Sequence, residues 1–434
     1  MSFGSQLDGL VAAAADGSPL YPALIWCDRR AAAECEAAGD RVDPGAFRAL
    51  TGCNLDPGHV GAKIAWLARH APDVHRSAAV FLLPGSWVAW RASGTLAVDP
   101  SNASSTSLLD PRTREWAPDA CAIFDVDPDR LAPVMRPDAV LGPVAGWLQE
   151  ATGLASGTLV VLGAGDEMAA TLGAGVVEPG VVCDVMGTAE PVCAVVAEPA
   201  HDPTGLVELH PHADPDTWLL ENPGWLSGGA YRWFRDELGG PEAAAAAASG
   251  ADVYELLNEL AACAPPGADG VSWVPALSGA MAPEWNSRAR AGWFGMTPAH
   301  GRAHLARALL EGNALALRDV IEAIAAAGHP PSEVVCVGGG AKGRLLCELR
   351  ANVTGLPVCR PDDVETTARG AAMLAAAGAG LHPTVAAAGR AMAGPRSAHV
   401  HGDPELRGVY DDLHRRHRRL YAALRPLFDS EVAR

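Results

Sequence analysis

The stretch "VLGAGDEMAATLGAG" (Val161–Gly175) reads as a short apolar strand, a glycine turn and a helix whose first turn carries two adjacent acids, Asp166 and Glu167. Gly163-Ala164-Gly165 between strand and helix invites a dinucleotide-loop reading, but the third glycine of a G-x-G-x-x-G fingerprint would fall at Met168. The two carboxylates would also occupy the helix start that a pyrophosphate needs, setting like charges together. That argues against a nicotinamide-dependent oxidoreductase. An acid at this place is either a functional carboxylate or a favourable charge on the helix dipole.

The chain around it has 434 residues, 49% of them hydrophobic, enough for two domains, or three, at roughly 100 to 200 residues each. Thirty-three basic side chains against 51 acidic ones give a formal charge of −18, which disfavours nucleic acid and anionic membranes as partners. Ten scattered cysteines form no CxxC pair, so neither a zinc site nor a disulfide framework is expected, and they read as small apolar residues of a reducing cytosol. No apolar run reaches membrane-spanning length and no secretory leader follows Met1, so a cytoplasmic location is expected.

Along the chain, Ser2–Val11 and Leu20–Trp26 read as strands around a turn at Asp16-Gly17, and Arg29–Ala38 as a helix. Ala79–Trp90 reads as an apolar strand with an aromatic-rich continuation, and "DPSNASSTSLLD" (Asp99–Asp110) as either a surface loop or a ligand-facing one. "GVVCDVMGTAEPVCAV" (Gly180–Val195) reads as two strands around Gly187-Thr188, and Ala243–Ala248 as a solvated helix. "EVVCVGGGAKGRLLCELRANVTGLPVCRP" reads as strand, glycine turn, amphipathic helix and strand. The arginines of "YDDLHRRHRRLYAALRPLF" read as the solvated face of a last helix.

Two further sites stand open at this point. Gly338-Gly339-Gly340 lacks the G-K-[ST] ending of a P-loop, so it is either a tight turn or a place where a nucleotide approaches the backbone. Gly187-Thr188 is either a plain hairpin turn or one whose amides and hydroxyl hold a phosphate.

Taken in order, these features resemble the FGGY family of carbohydrate kinases, especially its xylulokinase-like branch, over nearly the whole chain. "GSQLDG" (Gly4–Gly9) loosely resembles the family's "GQMHG", "ALIWCDRRAAAEC" its "ILWNDGR" region, and "GAKIAWLARH" its K-x-x-W-L signature through Lys63, Trp66 and Leu67. "DPSNASST" is similar to "DPSDASGT", the opening stretch to "GGGDNAAAALGAG", and "DVMGTAEPV" to the "LGTSG" phosphate hairpin. "RARAGWFGMTPAHGRAHLARALLEGNALALRD" resembles the second signature, and "GGGAKGRLLCELRANVTGLPV" with "ETTARGAAMLAAAGAG" the adenine-side block.

The resemblance implies an α/β, actin-like (ribonuclease H-like) fold of two domains, 1–177 on the sugar side and 178–434 on the nucleotide side, with sugar and ATP in the cleft between them. It implies ATP-dependent phosphorylation of D-xylulose or a related pentulose or polyol. Asp166 aligns with the catalytic base, and Glu167 with a sugar-contacting position that is Asn in xylulokinases. Leu7 and Asp8 stand where those enzymes carry Met-His. Gly187 and Thr188 would hold the β and γ phosphates, Gly338, Gly339, Gly340 and Ala341 would face adenosine, and Mg²⁺ would bridge phosphate oxygens. No protein metal ligand is assigned, and a homodimer is left open.

Family members begin with a strand, a D-x-G-T-[ST] turn and a second strand, and this sequence has no such motif before Ser2 or elsewhere. The expectation is therefore an N-terminal domain lacking one phosphate hairpin. Either the start lies at an internal codon of a longer, active protein, or the chain is a truncated, non-catalytic remnant that binds sugar or nucleotide.

Overall fold

The computed structural model describes residues 1–363 and 365–429. It divides into two compact units, Met1–Pro179 with Val195–Leu220 and Glu365–Gly394, and Gly180–Ala194 with Glu221–Val364 and Pro395–Arg434.

In the first unit, Gly4–Ser5 pairs in parallel with Ala164–Gly165, and Val11–Ala13 pairs antiparallel with Val80–Leu82. The turn at Asp16-Gly17 forms, with Gly17 at φ 82°. Leu20–Trp26 does not form a strand; it makes a single bridge, Leu24 with Leu10, and Pro19 just before it bridges Ala13. Pro19 and Pro22 interrupt the amide ladder there, which explains the difference. After Val80–Leu82 the aromatic-rich segment is a helix, Pro84–Ser93, opened by proline at its first position. The first helix is Ala32–Gly39, and Val60–His70 buries Val60, Ile64 and Leu67 in the main apolar cluster with Leu10, Phe47, Phe81 and Phe124.

The Ser- and Asn-rich segment is not a surface loop. Pro100–Ser104 is a short helix, entirely buried, with the Asp99 carboxylate accepting from the amides of Ser101 and Asn102 at its start. Polar side chains can be buried here because the cap and neighbouring backbone satisfy them.

The helix Asp166–Gly173 lies against Thr366–Gly378 of the same unit. A Cβ on Gly173 would stand 1.8 Å from the Thr366 carbonyl oxygen, and one on Gly370 1.9 Å from that of Ala169. Only glycine permits two helix backbones to approach this closely.

In the second unit, Val181–Val185 pairs antiparallel with the strand beginning at Val192 and in parallel with Glu333–Val337, which pairs in parallel with Val358–Cys359. Both faces of these strands are buried, as their near-continuous Val and Cys composition requires. The helix Arg344–Thr354 follows the glycine turn, and Gly240–Ser249 is the solvated alanine helix, with no buried residue. In the last helix, Arg407–Asp429, Leu413, His417 and Tyr421 are buried while Arg415, Arg416, Arg418 and Arg419 are exposed. Eight of the ten cysteines are buried and all are free thiols.

Candidate active site

In the first unit, the register Gly4↔Ala164 and Ser5↔Gly165 sets the two sequence-named groups side by side, because both strands run the same way and both groups follow at their ends. Gly165 is the residue before the helix that Asp166 and Glu167 begin. Leu7 is buried, 9% exposed, and its Cδ2 lies 2.4 Å from where a Cβ on Gly165 would be. Leu7 therefore packs on the turn that aims Asp166.

The buried Ser- and Asn-rich helix ties these two strands together. Ser101 Oγ accepts from the Gly165 amide at 2.9 Å while donating to Asp99, and Ser105 Oγ accepts from the Asp8 amide at 3.2 Å. Ser5 Oγ donates to Asn102 Oδ1 at 3.4 Å. Burial raises the Asp99 carboxyl above its ordinary range, against the hydrogen bonds that Ser101 and Asn102 donate to it.

Asp8 is in the left-handed region, φ 59°, which Asp tolerates better than most side chains. Two neighbours hold it there. Lys63 Nζ, fully buried, donates to the Asp8 carbonyl at 2.6 Å and to the Ile25 carbonyl at 2.9 Å. His59 Nδ1 lies 2.9 Å from Asp8 Oδ1 and 3.0 Å from the Ser105 carbonyl. Burial lowers the Lys63 ammonium below its ordinary value, in spite of Asp8, Asp28 and Asp56.

Behind His59 stands Glu208, with His59 Nε2 3.4 Å from Glu208 Oε1 and the Asn54 amide donating to the same oxygen at 2.6 Å. His210 Nε2 lies 3.3 Å from Glu208 Oε2, and its Nδ1 is 2.8 Å from Ser104 Oγ. Burial favours the neutral His59 ring, but Asp8 and Glu208 outweigh it and hold the imidazole well above its ordinary value. Burial likewise opposes ionised Glu208, yet the His59 charge and hydrogen bonds from His210 and His59 bring it down to about 2.

In the second unit, Val185 and Val337 are paired neighbours at the ends of two parallel strands, so Gly187-Thr188 and Gly338–Ala341 emerge at one sheet edge. In parallel sheets, ligands sit outside these carboxyl ends. The Met186 amide donates to the Val337 carbonyl at 2.9 Å, and the Gly340 amide to the Met186 carbonyl at 3.0 Å. Gly338 has φ 82°, and a Cβ there would meet the Met186 carbonyl oxygen at 3.0 Å. Thr188 and Gly339 are exposed, and a Cβ on Gly339 would have nothing within 4 Å.

Beneath the hairpin, Arg350 donates to Asp184 Oδ2 at 3.2 Å and to Glu190 Oε1 at 2.6 Å, all three sealed from solvent. Burial pushes the Glu190 carboxyl up to about 8, with Arg350 opposing and Asp184 adding to the rise.

The N-terminal domain description of the FGGY family of carbohydrate kinases matches residues 1–173, and its C-terminal domain description residues 184–379. The chain belongs to the FGGY family of carbohydrate kinases. It is accordingly a phosphotransferase acting on a sugar.

The FGGY chain is 34% identical over 423 residues to a protein named autoinducer-2 kinase from Escherichia coli strain K12, covering 94% of this chain and 77% of that one. It is similar to xylulose kinase from Rhodospirillum rubrum, with a TM-score of 0.87, 30% identity and coverage of 98% and 84%. Plasmodium falciparum glycerol kinase with ADP shares the fold, with a TM-score of 0.83, 20% identity and coverage of 96% and 83%. These matches bear out the two-domain FGGY sugar kinase fold. No helix among the described residues is long and apolar enough to cross a membrane.

Sequence reasoning missed His59, Glu208, His210 and Arg350. His59 sits only four residues before the signature Lys63, but its partners lie about fifty residues before it and about 150 after it, a juxtaposition that only the folded chain makes. An open pocket of about 220 Å³ in the first unit, lined by Arg48, Arg112, His201 and Asp202 among others, includes none of the sequence-named residues.

Proposed function

We propose that this FGGY kinase transfers the γ-phosphoryl group of magnesium-bound ATP to a hydroxyl of a neutral polyhydroxylated ketose or polyol, with D-xylulose the first candidate. The observation that carries this reading is the parallel pairing of Gly4–Ser5 with Ala164–Gly165, with Leu7 packed on Gly165, the residue before Asp166; it supports a shared sugar site for Leu7-Asp8 and Asp166-Glu167.

In this reading Asp166 accepts the proton of the attacking hydroxyl as its oxygen bonds to the γ-phosphorus, and the anhydride bond to the bridging oxygen breaks to release ADP. Such chemistry asks for positioning and one aimed base, and a rigid helix start braced by Leu7 and Ser101 supplies both. Glu167 and Asp8 are acceptors when ionised, so they suit sugar hydroxyls that donate. The Gly187-Thr188 turn, exposed at Thr188, offers amides and a hydroxyl to the β and γ phosphates. The exposed Gly339, with nothing within 4 Å of a Cβ, leaves room for adenosine, while Gly338 and Gly340 pack on Met186 and Ala341 is buried.

Asp184 and Glu190 are buried on Arg350, so neither can reach a cation at the hairpin. Mg²⁺ would enter with the nucleotide and neutralise phosphate charge there, without Asp184 or Glu190 as ligands.

The 34% identity to proteins named autoinducer-2 kinase supports a second acceptor, autoinducer-2. An ADP-release assay with D-xylulose, autoinducer-2, glycerol and D-gluconate, with product mass determined, tests both. Sugar-dependent ADP and a phosphorylated neutral acceptor are expected; absence of any acceptor-dependent ADP would contradict the reading.

A further inference from the structure

The kinase assignment leaves unexplained why a buried histidine should sit between two carboxylates beside the sugar side of the first unit. His59 is 7% exposed at its side chain, Glu208 4% and Asp8 24%, so the network runs from a sealed end to one open to ligand. Each link is within hydrogen-bonding reach: Asp8 Oδ1 to His59 Nδ1 at 2.9 Å, His59 Nε2 to Glu208 Oε1 at 3.4 Å, and Glu208 Oε2 to His210 Nε2 at 3.3 Å. The Asn54 amide fixes Glu208 from a third direction at 2.6 Å.

We propose that His59 is a positioning residue for the sugar, an imidazolium clamped between Glu208 and Asp8 that presents the Asp8 carboxylate as a hydrogen-bond acceptor and so selects neutral polyols over sugar acids. This rests on the reading above that Asp8 faces the sugar.

Geometry accounts for each part. The ring has two nitrogens and each has a carboxylate oxygen, so the arrangement is satisfied when both nitrogens donate, which is the charged form. A buried imidazolium with one carboxylate would already be neutralised; the second, Asp8, is the exposed end, so the side of the group that meets a ligand is a carboxylate, while the Lys63 charge lies on the buried side at the Asp8 carbonyl. An acidic, acceptor-only surface attracts hydroxyl donors and repels a carboxylate on the ligand. The groups facing His59 are Asp8 on the first strand's extension, Glu208 on Glu208–Pro211, and, more weakly, the Cys35 thiol. Lys63 donates its hydrogen bond to the Asp8 carbonyl, so it fixes the backbone while His59 fixes the side chain, and its charge also acts on the Asp8 carboxylate.

The test is steady-state kinetics of the full chain with D-xylulose, autoinducer-2 and D-gluconate, for the wild type, His59→Asn, Glu208→Gln, Asp8→Asn and the double variant of His59→Asn with Asp8→Asn. Expected for the neutral acceptor are a KM raised at least tenfold by His59→Asn, a smaller rise by Glu208→Gln, and a KM for ATP within twofold of wild type throughout. The double variant should be no worse than Asp8→Asn alone, since His59 works through Asp8. D-gluconate should be used at least a hundredfold less efficiently than the neutral acceptor.

If the wild type turns over a neutral acceptor but His59→Asn leaves its KM within twofold, the positioning role falls while the kinase reading stands. Equal raising of the ATP and sugar KM would mark a general structural role and also overturn it. If no acceptor supports ADP release in the wild type, the functional reading falls and takes this proposal with it.

Discussion

Arg350 donates to Glu190 at 2.6 Å in a place where both side chains are sealed from solvent, and its Nε reaches Asp184 at 3.2 Å. Asp184 and Glu190 bracket the Gly187-Thr188 turn in sequence, so one guanidinium fixes both legs of the hairpin. Removing one partner of a buried ionic group leaves the others uncompensated, at a cost of about 3–5 kcal/mol. Arg350→Met should lower the urea midpoint accordingly and raise the KM for ATP in whatever protein still folds. An unchanged midpoint would show that the triad contributes nothing to the hairpin.

Glu208 gives a dependence on pH. Its carboxyl is brought from an ordinary 4.5 to about 2 in the folded chain, so it stabilises the fold above pH 4.5 and that contribution disappears as pH falls toward 2. The shift corresponds to ~3 kcal/mol. His59 has the opposite sign: raised well above 6.5, it stabilises fully below 6.5 and less as pH rises through its folded value. Thermal melts of the wild type should therefore decline on the acid side over this window, and Glu208→Gln should flatten that decline. An identical acid limb in both would remove Glu208 from the account.

Gly173 and Gly370 predict a contrast between glycines. Gly173→Ala would force a Cβ to 1.8 Å from a backbone oxygen that cannot swing aside, so a loss of ~3 kcal/mol or more is expected. Gly240→Ala, at the start of a solvated helix with nothing within 4 Å, should be neutral or slightly stabilising. Chemical denaturation of the two variants checks both signs.

Lys63→Met keeps the length of the stem but leaves the Asp8 and Ile25 carbonyls without their shared donor. A buried unsatisfied acceptor costs about 1–3 kcal/mol. The KM for the sugar should rise while that for ATP stays near wild type, because Lys63 and Asp8 lie in the first unit and the hairpin in the second.

How much of this was legible in the sequence follows from how local each signal is. The strand ending at Val161 and the helix from Asp166, the hairpin at Gly187-Thr188 and the strand before Gly338 each occupy one window with its own periodicity and glycine punctuation, and each is present in the fold. Between the first two, Ala164–Gly165 is not a glycine turn but a short strand, made so by pairing with the distant Gly4–Ser5. Leu20–Trp26 has strand-like apolar residues, but proline removed the amides that a ladder needs. The segment Asp99–Asp110 has the composition of a loop; burial of its serines depends on Asp99, Gly165 and Asp8, two of which lie far away in the chain. His59, Glu208 and Arg350 gave no local pattern, since a salt bridge across 149 or 160 residues leaves none.

The central claim is that Asp166 removes the proton of the acceptor hydroxyl. Asp166→Asn preserves the size and the helix start while removing the base. Sugar-dependent ADP release by the full chain should fall by about a hundred- to ten-thousandfold in kcat, with ATP and sugar binding retained by calorimetry. Turnover within a few-fold of wild type would contradict the assignment.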